Sequence, residues 1–324
     1  MANLDPMADF VTLGTEKWDR AAARAYQLER FLYRNQEAEL RLLRPGRGQP
    51  WVSNPYGYVG GLDLARPELA QDLPEVLERL LRESRAPYAL VRTLEPLPES
   101  ILDSFTVDTR FHTFFLDLAG GADHVWKKKM ASKVRRQTRR GLRHGVTARI
   151  GHLDLFDDFV SVLSRCWRDL GTPFHRPFYF RELLTNYGPS HSAVLNLYRG
   201  DEPVSTAMLL VNGHTVFHPY TGTLRDSQRE GVNNVLYWRI IEWACARGCR
   251  WWDMGRSRED TSHATYKRPW GVEERPLFYN YFLAPGAAVQ NLESPLVKLA
   301  VKAWKNLPVA LHRLLGPPLI RRVL

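Results

Sequence analysis

The chain has 324 residues, 44% hydrophobic and 25% charged, the balance of a globular protein with room for two ordinary domains. Lys and Arg number 45 against 35 Asp and Glu, yet ten of the basic residues fall within residues 125–152, which hold no acid, so this one segment carries the whole net charge of +10. Three cysteines, Cys166, Cys245 and Cys249, are too few for a disulfide framework and have no partners for a metal set, so they are expected to be small buried side chains in a reducing compartment. The opening residues, MANLDPMADFVTLGTEKW, lack a basic region followed by an apolar core, and no window approaches 18 uninterrupted apolar residues; a cytoplasmic protein without a leader or spanning helix is the expectation.

In chain order, residues 16–44 read as a helix rich in Arg and Glu, and WVSNPYGYVGG (51–61) as a loop or irregular strand. Leu73, Val76, Leu77, Leu80 and Leu81 form one stripe and predict an amphipathic helix over 72–84. Strands are expected at 87–95 and 111–118, then a basic helix ending in the short strand VTARIGH. Helices follow at 153–171 and 176–188, closed by Gly171 and Gly188. A three-stranded meander comes next, with Gly200-Asp201-Glu202 at its first turn and Asn212-Gly213 at its second. A helix at 232–247, the strand CRWWDMG, a short helix at 261–268 and the strand PLFYNYFL complete the pattern.

This order of elements in the second half resembles the acyl-CoA N-acyltransferase (GNAT) fold, and the first half resembles a worn copy of it. The expectation is an α/β (α+β) chain of two tandem GNAT-like domains, with mixed central sheets flanked by helices. They are a degenerate domain over 1–150 that ends in the basic helix and a second over 151–290. A basic amphipathic tail occupies 291–324. Gln228-x-x-Gly231-x-Asn233 stands where an acetyltransferase has its pyrophosphate loop, at a helix N-terminus. Asn233 would crowd that approach, and the alternative is a plain helix start capped by Asn233 or Asn234. Asp253, Gly255, Arg256 and Ser257 end a strand, with Lys267 and Trp270 just beyond, either the rim of an active site or a structural ion pair. No Ser–His–Asp or Cys–His arrangement is legible around His175, His214 or His218.

WDMGRS (252–257) and YKRPWG (266–271) together resemble the FemAB-type transferases, most closely the FemAB-like proteins associated with exopolysaccharide and PEP-CTERM systems. NNVLYW, which contains Asn233, Asn234 and Tyr237, also resembles that group, as do SNPYGYVGG, KVRRQTRRGLRHGV, DLGTPFHRPFYFREL and the tail AWKNLPVALHRLLGPPLIRRVL. Two features depart from it: REDTSHAT puts Asp260 and Ser262 where Gly is usual, and the segment before residue 51 is short, as if the first domain were trimmed.

The resemblance implies two domains with a channel between them and transfer of an acyl or aminoacyl group to an amine. No cofactor is required; aminoacyl-tRNA or acyl-CoA is the donor co-substrate, and the acceptor is a cell-envelope, exopolysaccharide or peptidoglycan precursor bearing phosphate. Lys267 would supply the cation at the tetrahedral oxyanion. Asp253 would accept the amine proton or hold Lys267 or Arg256, and Arg256 and Ser257 would take a phosphate or carboxylate. Gly231, Asn233, Asn234, Tyr237, Tyr266 and Trp270 would line the donor loop or channel, or else belong to the core. Lys133, Arg135, Arg136, Arg139 and Arg140 would grip a phosphate of tRNA, of a nucleotide- or lipid-linked acceptor, or of an anionic membrane; the bland alternative is a solvated face. Residues 294–324 carry six basic residues and no acid and read as a helix on an anionic leaflet at the inner membrane face or one packed on the body. The other function classes are an acyl-CoA-dependent N-acyltransferase of a small-molecule or sugar amine, a nucleic-acid-binding protein without chemistry, and a silent scaffold. The oligomeric state stays open.

Overall fold

The computed structural model describes residues 14–35, 38–64, 71–228, 230–289 and 295–322. The chain opens with α1 (Glu16–Tyr26), capped by the Thr15 side chain and ended by Gln27 in the left-handed region. The helix expected over 16–44 stops there. Residues beyond it form the antiparallel strands β1 (Glu29–Arg34) and β2 (Ala38–Arg44). The charges that suggested a long helix are cross-strand partners: Glu29 lies opposite Arg44 and Arg34 opposite Glu39, and both pairs are hydrogen-bonded.

β3 (Trp51–Val52) and β4 (Leu62–Leu64) flank the aromatic, Gly-rich loop. α2 (Leu73–Ser84) buries the predicted leucine stripe. Then come β5 (Tyr88–Thr93), α3 (Glu99–Leu102), the long β6 (Thr106–Asp117) and α4 (Gly121–His124). A π-helical turn, Val125–Lys129, leads into the basic helix α5 (Ser132–Arg143) and β7 (Val146–Gly151). α6 (Phe156–Leu170) and α7 (Pro177–Tyr187) are followed by the meander β8 (Ser192–Arg199), β9 (Glu202–Asn212) and β10 (Thr215–Thr223). The last part runs α8 (Arg225–Gln228), α9 (Val232–Ala246), β11 (Trp251–Asp253), β12 (Ser257–Arg258), α10 (Ser262–Lys267), β13 (Glu273–Leu283), α11 (Pro295–Trp304) and α12 (Val309–Ile320).

Among the described residues the strands form one sheet in the order β1-β2-β3-β5-β13-β6-β11-β10-β9-β8-β7, with β4 on β2 and β12 on β6. The two halves of the chain are stitched together in it. β13 lies between β5 and β6, and β7, at the expected domain boundary, pairs with β8. Among the described strands only β3–β5 and β10–β11 are parallel pairs, and an isolated bridge, Gly14–Gly60, is also parallel. Successive side chains alternate between faces: Val194 joins the core under α1, α6 and α7, while Ala193 and Leu195 join the core under α5 and α9. A third core packs α2 on Leu40, Leu42, Ala89 and Val91.

The core under α1 and α7 contains a dense aromatic group around His175, whose ring lies within 6 Å of Tyr26, Tyr56, Trp167, Tyr179, Phe180 and Tyr220. Burial pushes the His175 imidazole down to about 3, so it is neutral at physiological pH and is held by the Tyr26 hydroxyl at 2.7 Å.

The tail forms two helices, and α12 runs through Pro317 and Pro318 rather than breaking before them. The inner face of α12 is packed on the body. His312 reaches the Thr172 carbonyl at 2.9 Å, Arg313 donates to the Ser164 hydroxyl, and Gly316 lies against Phe174. No helix among the described residues is long and apolar enough to cross a membrane.

α5 crosses the start of α9 through two glycines. A Cβ on Gly141 would come within 2.6 Å of the Gly231 carbonyl oxygen and the Val235 side chain, and one on Gly231 within 2.6 Å of the Gln137 carbonyl oxygen. Gly231 also has φ of +82°, where other residues are strained. Gly141→Ala should therefore lower stability by about 1–3 kcal/mol, because the overpacking outweighs the gain in helix propensity. The urea midpoint of the variant measures this; an unchanged or raised midpoint would show that α5 is not seated there.

Candidate functional site

β10 and β11 run parallel only as far as the pair Phe217–Asp253; beyond it β10 bulges between Phe217 and Tyr220, and β11 ends. The residues that follow β11 make a local turn that bulges out at Gly255, whose φ of +75° favours glycine, and the chain then continues in the same direction along β6 as β12. This turn is held from two sides by buried ionisable groups.

Asp253 is fully buried. Its Oδ1 accepts hydrogen bonds from the Thr113 hydroxyl at 2.5 Å and the Gly255 N–H at 2.8 Å. Its Oδ2 is buried without a hydrogen-bond partner, although the Tyr58 hydroxyl faces the same carboxylate. Burial raises the carboxyl's pKa above its ordinary value and, helped by the neighbouring Asp253 charge, raises that of Tyr58.

Lys267 ends α10, which the Thr261 hydroxyl caps. The side chain is 6% exposed. Its ammonium donates to the Gly255 carbonyl at 2.6 Å, the Ser257 hydroxyl at 3.0 Å and the Arg256 carbonyl at 3.4 Å, and lies 4.8 Å from the centre of the Phe114 ring. Burial pushes its pKa down to about 7 against the opposing pull of Asp253. No ion pair joins the two among the described residues. Asp253 fixes the turn by the Gly255 N–H and Lys267 by its C=O, so the carboxylate and the amine hold the two peptide groups that flank one residue rather than meeting directly. Ser257 points inward to Lys267, whereas Arg256 is exposed and reaches away to the Tyr279 hydroxyl at 2.7 Å.

Tyr237, Tyr266 and Trp270 pack together beside Trp252, with ring centres 5.1–5.4 Å from Tyr237. They belong to the core on the α9 side, but the Tyr266 hydroxyl and the Trp270 indole nitrogen are buried without hydrogen-bond partners. His218 accepts from the Trp252 indole at 3.0 Å, and burial holds its pKa at about 3. Gly231 is the N-cap of α9, and no side chain caps that helix. Asn233 instead accepts from the Thr223 hydroxyl at 3.2 Å, and Asn234 is buried. The helix start that resembled a phosphate loop thus has the Gln137 carbonyl of α5 against its glycine.

Three residues of the basic run meet acids: Lys127 with Asp123, Lys129 with Asp117 and Arg149 with Asp201. Arg135 folds back onto the Trp126 and Met130 carbonyls and closes the π-helical turn, so it does not share an outward face with Arg139. Arg139 lies over the Trp126 ring at 5.3 Å. Lys133, Arg136, Arg140 and Arg143 fall on one side of α5, spaced three and four apart, and all are exposed. The Ala131 N–H binds the Pro269 carbonyl, so this ridge starts beside the Lys267 segment. A cavity of about 330 Å³ lies elsewhere, between α1 and β1–β2, and has none of residues 253–270 in its lining.

Sequence reading did not find Tyr58, Arg92, Phe111, Thr113, Phe114 or Tyr279. Their signal was weak: SNPYGYVGG is a loop with Asn54 and Tyr56 at positive φ, braced by Arg92 hydrogen bonds to the carbonyls of Ser53, Asn54 and Gly57.

Residues 128–268 match the family model described as "Acetyltransferase (GNAT) domain". A search of curated proteins finds no match. Among solved structures, the chain is similar to FemX at 12% identity and a TM-score of 0.64, over 90% of this chain and 95% of that one. It is also similar to a C-terminal domain from Agrobacterium fabrum assigned to a lysylphosphatidylglycerol synthetase, at 14% identity and a TM-score of 0.62, over 82% of this chain and 88% of that one. A tandem GNAT protein from the clavulanic acid biosynthesis pathway matches at 12% identity and a TM-score of 0.56, over 84% and 88%. Residues 128–268 thus match an acetyltransferase (GNAT) domain, and the chain as a whole shares its mixed α/β fold with FemX and the tandem GNAT protein.

Proposed function

We propose that the protein transfers an aminoacyl group from aminoacyl-tRNA to an amine of a phosphate-bearing acceptor, a cell-envelope, exopolysaccharide or peptidoglycan precursor. The observation that carries this reading is the buried Lys267 ammonium, fixed on the Gly255–Ser257 turn where two parallel strands part. In the reaction the acceptor amine attacks the donor's ester carbonyl and a C–N bond forms. The carbonyl electrons move to oxygen, then return as the C–O bond to the ribose breaks. The amine loses a proton and the released hydroxyl gains one. Lys267 acts on the oxyanion through its charge, since its N–H groups are occupied by the turn. Asp253 has a positioning role, because its carboxylate holds the Gly255 N–H.

The exposed ridge of α5 supports tRNA as the donor, as does the packing of α5 on Gly231, which leaves less room at the helix start for a pyrophosphate. An acyl-CoA donor is the second reading, favoured by the domain match. Incubation with a panel of aminoacyl-tRNAs and CoA thioesters against an amine library, read by mass spectrometry, decides between them. Product from thioesters alone would overturn the tRNA reading.

Lys267→Ala should lower kcat/KM by about a hundredfold; unchanged product formation would remove Lys267 from the mechanism. The ammonium is charged below its pKa of about 7 and neutral above it. Relative to Lys267→Arg, whose charge persists, the wild-type rate should therefore fall as pH rises through about 7. Superimposable profiles would exclude a role for the charge.

Replacing Lys133, Arg136, Arg140 and Arg143 together by Gln should flatten the dependence of log tRNA affinity on log salt by about three. An unaltered slope would show that the ridge is a solvated face.

The outer face of the tail exposes Leu299, Leu311, Leu314, Leu315 and Leu319, with Lys302 exposed on α11 and Lys305 just beyond it. It supports contact with an anionic leaflet, which would place the enzyme beside a lipid-linked acceptor. Vesicles containing phosphatidylglycerol should co-sediment the wild-type protein more than a Leu311→Ser, Leu314→Ser variant. Equal sedimentation of both would count against the contact.

A further inference from the structure

We propose that Arg92 and Arg256 form an anion-binding site above the Tyr279 ring, built to take a phosphate or carboxylate group of the acceptor. The word acceptor rests on the transferase reading; the site itself does not.

Three neighbouring strands carry the site. Arg92 on β5 lies opposite Tyr279 on β13, and Tyr279 stacks on Phe111 of β6 with ring centres 5.1 Å apart. The Arg92 guanidinium is 5.2 Å from the Tyr279 ring centre; that of Arg256 is 5.8 Å from the same centre and 4.7 Å from Phe111. Two cations thus share one aromatic floor, and neither has a carboxylate in ion-pair reach among the described residues.

Arg92 is only 4% exposed. Its Nη1 donates to three loop carbonyls at 3.1–3.3 Å, but its Nε is buried with no hydrogen-bond partner. A brace for the loop explains Nη1 and leaves Nε without a partner. A buried charge held only by carbonyl dipoles and a ring is costly. Here burial and the Arg256 charge both act against the Arg92 cation, and Arg256 also acts against Lys267. Two carboxylates act on Lys267, and both are already engaged: Asp253 is buried and accepts from Thr113 and Gly255, and Glu274 is paired with Arg268 and His112. Arg256 thus repels both Arg92 and Lys267, and neither arginine has a carboxylate of its own among the described residues. A planar, multi-donor guanidinium is matched by an oxyanion with two or more oxygens.

The position gives the site its use. Arg256 follows directly on the Gly255 carbonyl that holds Lys267, so an anion fixed between Arg256 and Arg92 lies beside the turn proposed to meet the reacting carbonyl. The α5 ridge belongs to the other face of the sheet, with α9 and Trp252. Acceptor anion and donor phosphates would then be gripped on opposite faces, which prevents either from occupying the other's place.

The test is calorimetric titration of the full chain with inorganic phosphate and, separately, with acetate, and needs no turnover. Saturable binding of one of these anions is expected, and which one binds identifies the group on the acceptor. Arg256→Gln, at an exposed position, should weaken that binding about tenfold while leaving the melting temperature without ligand unchanged. Arg92→Lys should weaken it as well, and the four-residue ridge variant should bind as wild type does. Absence of saturable binding of either anion, equal affinity in Arg256→Gln, or loss of binding in the ridge variant would each overturn the proposal. Binding that persists when no donor or amine yields product would leave this site standing and count against the transferase reading instead.

Discussion

The backbone of Gly255 is the constraint on which the end of the molecule around Asp253 and Lys267 depends. Its N–H is taken by a buried carboxylate and its C=O by a buried ammonium, so two costly charges are spent on one turn. Burial raises the pKa of Asp253 and lowers that of Lys267, each towards neutrality, and the charge of each moderates the other's shift. The turn in turn sends Ser257 inward and Arg256 outward. The parting of β10 from β11 leaves Gly255 just past the end of a parallel pair rather than within it, a usual position for function in α/β folds.

Much of the scaffold was legible in local chemistry. Gly171 and Gly188 close α6 and α7, Asn212-Gly213 turns the second hairpin of the meander, and the leucines of α2 face the core. The error at 29–44 has a clear origin. Arg and Glu spaced along a helix and Arg and Glu facing across a hairpin look alike in composition, and only the pairing distinguishes them. At the site, the residues of one short segment, Asp253 to Lys267, were found together because the chain keeps them together. Thr113, Tyr58 and Arg92 were not, because they reach the site from strands and a loop about 140 to 200 positions earlier, and sheet order is not written locally.

Gly231 shows the limit from another side. A glycine with positive φ at a helix start serves equally to admit a phosphate or to admit another helix. The sequence around it is the same in both cases. The surface opposite it here is α5, with its own glycine at the crossing. The basic run divides in the same way. Arg135 is spent on carbonyls of its own chain, while Lys133, Arg136, Arg140 and Arg143 remain outside, a division set by helical phase rather than by charge.

The placement of β13 between β5 and β6 also governs how the chain can fold. Asn280 on β13 donates to the Val91 carbonyl 189 positions earlier, and β6 must wait for both β11 and β13 before its two edges are covered. During synthesis the first half emerges with open strand edges and cannot close its sheet until nearly the whole described chain has left the ribosome. Folding is then dominated by contacts distant in sequence, which makes it slow, and the unpaired edges of β5 and β6 are where a stalled or truncated chain would aggregate.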